Sequence, residues 1–170
     1  MTLDEFMYRM VAGLLILSII IFIVNWILYG ISHMKMLKIM EYENYWMAWL
    51  PLLHYYAIAD CVMTVKLLNP KRVWNIQEQP DAFKFWWVLR ILLPLVPGFG
   101  NLLELAVSIA CRGYCYNYIF SVTDGKSADD TKILAYLSGW LPIIAIVKYL
   151  FRKDGIRNNG NYNSYYISEQ

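Results

Sequence analysis

Three charged side chains lie inside long apolar stretches and are the residues best placed to do chemistry. Asp60 falls within residues 45–65, whereas Arg90 and Glu104 fall within residues 85–111. An ionised side chain costs about 2.5–3.5 kcal/mol at the centre of a bilayer, yet ion paths and proton relays through membranes are built from such groups. Two interpretations therefore stay open: ion pairs that stabilise the fold, or a route for ions or protons.

The positions of these charges predict which of them can meet. Asp60 precedes Lys66 by as many residues as separate Lys84 from Arg90. In a hairpin of two helices both would lie about 9 Å in from the same side, so we predict an Asp60–Arg90 pair. Glu104 would lie about 21 Å from Arg90 along a continuous helix, and those two residues can pair only if the chain folds back between them.

Two uncharged polar side chains are further candidates for buried polar roles. Asn25 and Ser18 lie in a stretch without charges, and an amide exposed to hydrocarbon has no partner there. We expect both to face other helices, with Asn25 holding two helices together rather than contacting a substrate. His54 is isolated in the sequence, and we expect it to pack between helices or at the interface rather than to relay protons.

No enzyme, cofactor or metal signature is present. The sequence lacks G-x-x-x-x-G-K-[ST], H-E-x-x-H, G-x-S-x-G and G-x-G-x-x-G. Cys111 and Cys115 have the i, i+4 spacing of two metal ligands, but no further Cys or His lies near them in the sequence. We expect no enzymatic activity, no cofactor and no metal, and we expect these cysteines and Cys61 to be buried reduced thiols.

Composition identifies the class of protein. Hydrophobic residues make up 59%, charged residues only 16%, and the mean hydropathy is +0.38. This balance predicts an integral membrane protein. The net charge of +2 is too small to indicate nucleic-acid binding.

The apolar stretches predict an all-α polytopic membrane protein with about four transmembrane helices. Residues 10–31 form an uncleaved anchor, followed by a polar hinge at 32–44. Residues 45–65 either span with a kink at Pro51, which is the interpretation we favour, or form a re-entrant or interfacial segment. Residues 85–111 form a third span, broken between Pro94 and Gly100, and residues 133–151 form the last.

Domain organisation and orientation follow from the same pattern. Residues 1–151 are expected to form a single membrane-embedded helical domain, with a close-packing face at Ala106 and Ala110. Residues 121–131 read as an acidic loop with a tight turn, and residues 152–170 as a polar, disordered tail. The basic residues of 66–84 and of the tail predict a multi-pass protein of the cell membrane with a cytoplasmic C-terminus.

Trp is followed by Pro in three apolar stretches, at 46–51, 87–94 and 140–142. In each pair, Trp and Pro lie no more than about two helical turns apart. A duplicated hairpin and independent occurrence both explain the recurrence.

The runs W-M-A-W-L-P-L-L-H-Y-Y, W-W-V-L-R-I-L-L-P-L-V and W-L-P-I-I-A resemble a group of small bacterial multi-span membrane proteins of uncharacterised function. That group combines an apolar anchor with W-A-x-x-P-x-x-N-x-Y, W-W-x-x-x-x-x-I-P-L-V and a final L-P span. His54 stands where the group has Asn, and 97–100 looks like an insertion. The resemblance covers about residues 10–150 and implies the fold and membrane placement, but no catalytic residue.

These features predict an accessory or scaffold subunit of a membrane complex. Its partners would be the lipid bilayer and either another protein or further copies of this chain within the membrane. The alternative is a small transporter or ion-conducting oligomer built around Asp60, Arg90 and Glu104.

Overall fold

The computed structural model describes residues 3–64 and 81–152. Within these ranges the chain forms α-helices and 3-10 helices without a β-strand, which confirms the predicted all-α class. The predicted tail and most of the predicted 66–84 loop lie outside the described residues. The helices are α1 Leu3–Ile39, α2 Leu53–Thr64, α3 Leu89–Leu92, α4 Gly100–Asp124, α5 Ala128–Trp140 and α6 Ile143–Leu150, with 3-10 helices at Tyr45–Trp49, Asp81–Val88 and Leu93–Leu95.

Helix α1 is longer than the predicted anchor. Asp4 and Glu5 lie in its first turn and Lys38 in its last, where each charge stabilises the helix dipole. The helix continues through the first part of the predicted hinge and ends before a short turn, in which Glu41 has a φ of 56°. Its N-terminal part is exposed, whereas Met36 and Leu37 in its last turns are fully buried.

The second apolar stretch folds back on itself instead of crossing as one helix. Its 3-10 helix runs back along α1, because Lys38 Nζ lies 4.6 Å from the Tyr45 ring while the Trp26 indole donates to the Trp49 carbonyl at 3.2 Å. The chain then turns after Pro51, and α2 returns along α1. The break therefore comes at Pro51, where the spanning interpretation of this stretch placed a kink.

The third stretch is broken between Pro94 and Gly100, as predicted. The 3-10 helix Leu93–Leu95 ends at Val96, whose backbone is extended, and α4 begins at Gly100. Arg90 on one side of the break contacts Glu104 on the other, so the two arms lie side by side.

Helices α4 and α5 form a tight hairpin in place of the predicted acidic loop. Gly125 ends α4 in the left-handed region with φ +62°, and the Lys126 amide donates to the Ser121 carbonyl at 3.1 Å, which satisfies the last turn. Ser127 then caps α5 by accepting from the Asp130 amide at 3.2 Å. The tight turn at Gly125 is confirmed, but only 125–127 are non-helical.

Within residues 3–64 and 81–152, a single helix is long and apolar enough to cross a membrane. An 18-residue window of α1 has a mean hydropathy of 2.8, and none of it is buried. Helices α5 and α6 pass the same test only as a pair, and they are bent by 116° at the break between them. The predicted four crossings are therefore not confirmed.

The turns that connect the helices lie at two opposite ends of the molecule, one charged and one apolar. At one end the Lys35 ammonium donates to the Arg152 carbonyl, and Asp124 binds both Lys148 and Arg152. We call this the charged end, and it also carries the turns at 40–44 and 125–127. We call the opposite end, which carries the turns at 50–52, 96–99 and 141–142, the apolar end.

The three Trp–Pro pairs each stand at or just before a turn of the apolar end. Proline suits a turn because it has no backbone N–H that could be left without a partner. The backbone amides near each proline donate to carbonyls within the same turn. Amide-to-carbonyl distances are 2.9 Å for Leu53 to Pro51, 3.0 Å for Val96 to Leu93 and 3.1 Å for Ile144 to Leu141.

The closest helix contact lies between α4 and α5, away from the predicted face. Ala106 and Ala110 are exposed, so they make no close helix contact within the described part of this chain. Gly139 instead packs on α4, where an added Cβ would lie 2.8 Å from the Gly113 nitrogen and 2.8 Å from the Ile109 carbonyl oxygen. Only glycine allows the backbones to approach this closely.

We predict that Gly139→Ala destabilises the protein by about 1–3 kcal/mol, because backbone atoms must shift to admit the methyl group. Gly13→Ala is the matched control, since an added Cβ there meets nothing within 4 Å and alanine favours the helix. Thermal unfolding in detergent measures both. Equal melting temperatures for the two variants would contradict the close packing.

Candidate functional site

The Arg90–Glu104 ion pair is the centre of a polar cluster between the arms of the third stretch. Glu104 Oε1 accepts hydrogen bonds from Arg90 Nε at 2.6 Å and from Ser108 Oγ at 2.7 Å. The side chains of Arg90 and Glu104 are 27% and 18% exposed, whereas Ser108 is buried. The fold-back between them produces this contact, which a continuous helix would forbid.

Tyr55 of α2 connects this pair to the rest of the cluster. Its hydroxyl accepts a hydrogen bond from Arg90 Nη1, and its ring lies 4.7 Å from the Arg90 guanidinium carbon. The Trp86 and His54 rings lie 5.4 Å and 3.7 Å from the Tyr55 ring. Aromatic faces stabilise the cations beside them.

Arg112 is a member of the cluster that sequence reasoning missed. It lies on α4 one turn after Ser108, whose carbonyl accepts from Arg112 Nε at 3.3 Å. Only 8% of the residue is exposed, and its guanidinium lies 6.0 Å from the Tyr55 ring. The i, i+4, i+8 spacing of Glu104, Ser108 and Arg112 is the signal that could have found it.

A buried histidine lies next to this cluster. His33 Nε2 lies 2.7 Å from the Tyr116 hydroxyl, and Nδ1 lies 3.0 Å from the Tyr29 carbonyl oxygen. The Tyr29 ring stacks on His33 at 3.7 Å and contacts the His54 ring edge-on at 4.8 Å. His54 therefore packs between helices, in agreement with its predicted role.

Asp60 does not belong to this cluster, and the predicted Asp60–Arg90 pair is wrong. Asp60 binds Lys84 at 2.9 Å and accepts from the Tyr42 hydroxyl at 2.6 Å. The prediction assumed two α-helices of equal depth. Lys84 instead lies level with Asp60, since the two are paired. Arg90 follows six residues later, so it lies past Asp60 and reaches Glu104.

Asn25 is also separate from the cluster. Its side chain is exposed on α1 and donates to the Ile21 carbonyl of its own helix at 2.9 Å. Ser18 likewise bonds to its own helix, at the Leu15 carbonyl. The predicted contacts of Asn25 and Ser18 with other helices are not found in the described part of this chain.

A second ionic group, formed by Asp124, Lys148 and Arg152, lies at the charged end. Burial acts to raise the pKa of Asp124, but the hydrogen bonds from Lys148 and Arg152 outweigh burial and hold that pKa below its ordinary value. The group ties the end of α4 to the end of α6. It lies about 18 Å along α4 from Arg112.

The cysteines and acidic residues form no evident ligand set. Cys61 and Cys115 are buried, Cys111 is partly exposed, and all three are free thiols. Across residues 3–64 and 81–152, no three His, Cys, Asp or Glu side chains are grouped as a metal site would require. No family model, curated protein or solved structure matches the chain.

We predict that Glu104→Gln destabilises the protein by about 1–3 kcal/mol and Arg90→Gln by less. Losing Glu104 leaves two guanidiniums without a carboxylate, whereas losing Arg90 leaves Glu104 beside Arg112. The double variant should recover part of the loss, as measured by a double-mutant cycle of thermal unfolding. Asp60→Asn combined with Arg90→Gln is the control pair, and its effects should add. Additive effects for Arg90 and Glu104 would contradict their coupling.

Proposed function

We propose that the protein is an integral membrane protein that acts as a non-catalytic accessory or scaffold subunit of a membrane complex. Helix α1 anchors it, and the folded-back stretches enter the bilayer from the charged end. The observation that carries the proposal is a polar stripe on the exposed half of α1. Ser18, Asn25, Tyr29 and Met36 follow one another at steps of seven, four and seven residues, so they lie on one face of α1. Tyr29 and Met36 pack on the rest of the protein.

The exposure of α1 supports its placement in lipid. A core helix of a soluble protein would be covered, but the most apolar window of α1 is entirely uncovered. Large apolar side chains are also exposed around the apolar end: Leu52, Leu95, Val96, Phe99, Leu102, Trp140 and Leu141. Lipid around these side chains would remove them from water. The internally bonded turns suit the same medium, because hydrocarbon offers backbone amides no partner.

The distribution of basic residues supports one orientation. Every lysine that the structure describes lies towards the charged end, whereas Arg9 lies at the other end of α1. Basic residues accumulate on the cytoplasmic side, so the charged end and the C-terminus would be cytoplasmic and the N-terminus outside. Helix α2 is only about 18 Å long, whereas a typical hydrocarbon core is about 30 Å thick, so four crossings do not form part of the proposed placement.

The depth of Asn25 supports a partner within the membrane. The uncharged stretch between Arg9 and Lys35 is centred on Phe22, about 4.5 Å along the helix from Asn25. One amide N–H of Asn25 bonds to Ile21, which leaves its oxygen without a donor near mid-bilayer. A transmembrane helix of another protein, seated beside the polar stripe, would supply that donor.

The transporter interpretation is less well supported. It requires Asp60, Arg90 and Glu104 to share one route. Asp60 instead binds Lys84 and Tyr42, and the other two bind each other. The resemblance to small multi-span bacterial proteins implies the fold and membrane placement, but no transport activity.

We predict that Asn25→Leu lowers retention of the partner by about 5- to 30-fold, which corresponds to 1–2 kcal/mol for one interhelical hydrogen bond. Membrane insertion should be unimpaired, because leucine is the more apolar residue. Quantitative mass spectrometry after purification in mild detergent measures retention.

The matched control moves the amide without removing it. Asn25→Leu combined with Ile27→Asn keeps the composition but turns the amide about 200° around the helix. This variant should retain as little partner as Asn25→Leu alone. Full retention by both variants would overturn the accessory role assigned to this stripe.

Cysteine labelling tests the orientation. In intact cells, a membrane-impermeant maleimide should label Asp4→Cys and should not label Glu43→Cys or Lys126→Cys, because the last two lie in turns of the charged end. Four crossings with cytoplasmic termini would give the opposite pattern at all three positions. That reversed pattern would contradict the proposed orientation.

A further inference from the structure

The polar cluster around Tyr55 carries more positive than negative charge. Arg90 and Arg112 contribute two guanidiniums, whereas Glu104 is the one carboxylate that the described residues place with them. Asp60 is committed to Lys84. A buried charge without a counter-charge is costly, and more so in a membrane than in water. The cluster therefore lacks one negative charge.

Arg112 is the cation with the fewest partners. Arg90 binds both Glu104 and Tyr55. Arg112 makes one hydrogen bond within the described part of the chain, from Nε to the Ser108 carbonyl, although it is more than nine-tenths buried. Its two terminal amino groups, with four N–H donors, thus have no acceptor there.

A ring beside Tyr55 also holds a buried N–H donor without a hydrogen-bond partner. It is Nε1 of Trp86, judged over residues 3–64 and 81–152. Trp86 is itself only 4% exposed. Buried polar atoms are nearly always paired in folded proteins, so an unpaired donor that shares Tyr55 with the Arg112 guanidinium indicates a missing acceptor.

We propose that Arg112 and its neighbours bind one small monovalent anionic group beside Tyr55. The group is either a halide from water or the carboxylate end of a fatty acid, since both bring a single negative charge that accepts several N–H donors. Such a group would neutralise the cluster without disturbing the Arg90–Glu104 pair. The site does not depend on the accessory role of the protein, only on these contacts.

Thermal unfolding of the full chain tests the proposal. Protein purified in dodecyl maltoside and sodium gluconate is titrated with sodium chloride at constant ionic strength, and separately with dodecanoate. Bound anion should raise the melting temperature by about 3–6 °C at saturation. A shift with chloride identifies the halide as the source, whereas a shift with dodecanoate alone identifies the carboxylate.

Arg112→Gln removes the charge that the anion would balance. In gluconate this variant should melt at or above the temperature of the unaltered protein, because it no longer buries an unpaired cation. It should lose the anion-dependent shift. Arg112→Met serves the same purpose if the glutamine variant does not fold. Arg9→Gln is the matched control, because it changes the net charge equally at an exposed position and should keep the shift.

Two results would overturn the proposal. One is the absence of any shift with chloride or dodecanoate in the unaltered protein. The other is a shift of the same size in the Arg112 variant and in the unaltered protein, which would show a general salt effect.

Discussion

The ion pair between Arg90 and Glu104 determines how the helices are arranged. It holds the two arms of the third stretch together, and α4, which carries one of those arms, packs closely against α5. Separating the pair would leave each charge in apolar surroundings with weaker partners. The pair therefore selects the folded-back path over a straight helix, which is a contribution to the uniqueness of the fold as well as to its stability.

Local signals in the sequence predict part of this architecture. Proline and glycine mark the break after Pro94 and the cap at Gly125, because their effects act within a few residues. The number of crossings was not predictable in the same way. Hydropathy measures how apolar a stretch is, but a 12-residue α2 and a continuous span can have similar composition. The difference depends on tertiary contacts that bring the chain back.

The sequence predicted several residues of the candidate site, but not which of them pair with each other. Arg90, Glu104 and His54 were identified from their types in apolar surroundings. Their partners depend on the depth at which each segment begins, and it is Lys84 rather than Arg90 that lies level with Asp60. Arg112 lies where the apolar pattern of α4 fades, so composition placed it beyond the membrane. Long-range contacts, such as His33 with Tyr116, leave no local trace in the sequence.

In the proposed membrane placement, the unbroken course of α1 would couple the protein to the thickness of the bilayer. Its uncharged stretch is about 37 Å long, somewhat more than a typical hydrocarbon core of about 30 Å. Such a helix adapts to a thinner bilayer by tilting. The last turns of α1 are packed in the core around Met36 and have no hinge before them. Tilting would therefore rotate the whole helical body with α1, and the angle of the charged end to the membrane surface would change with lipid composition.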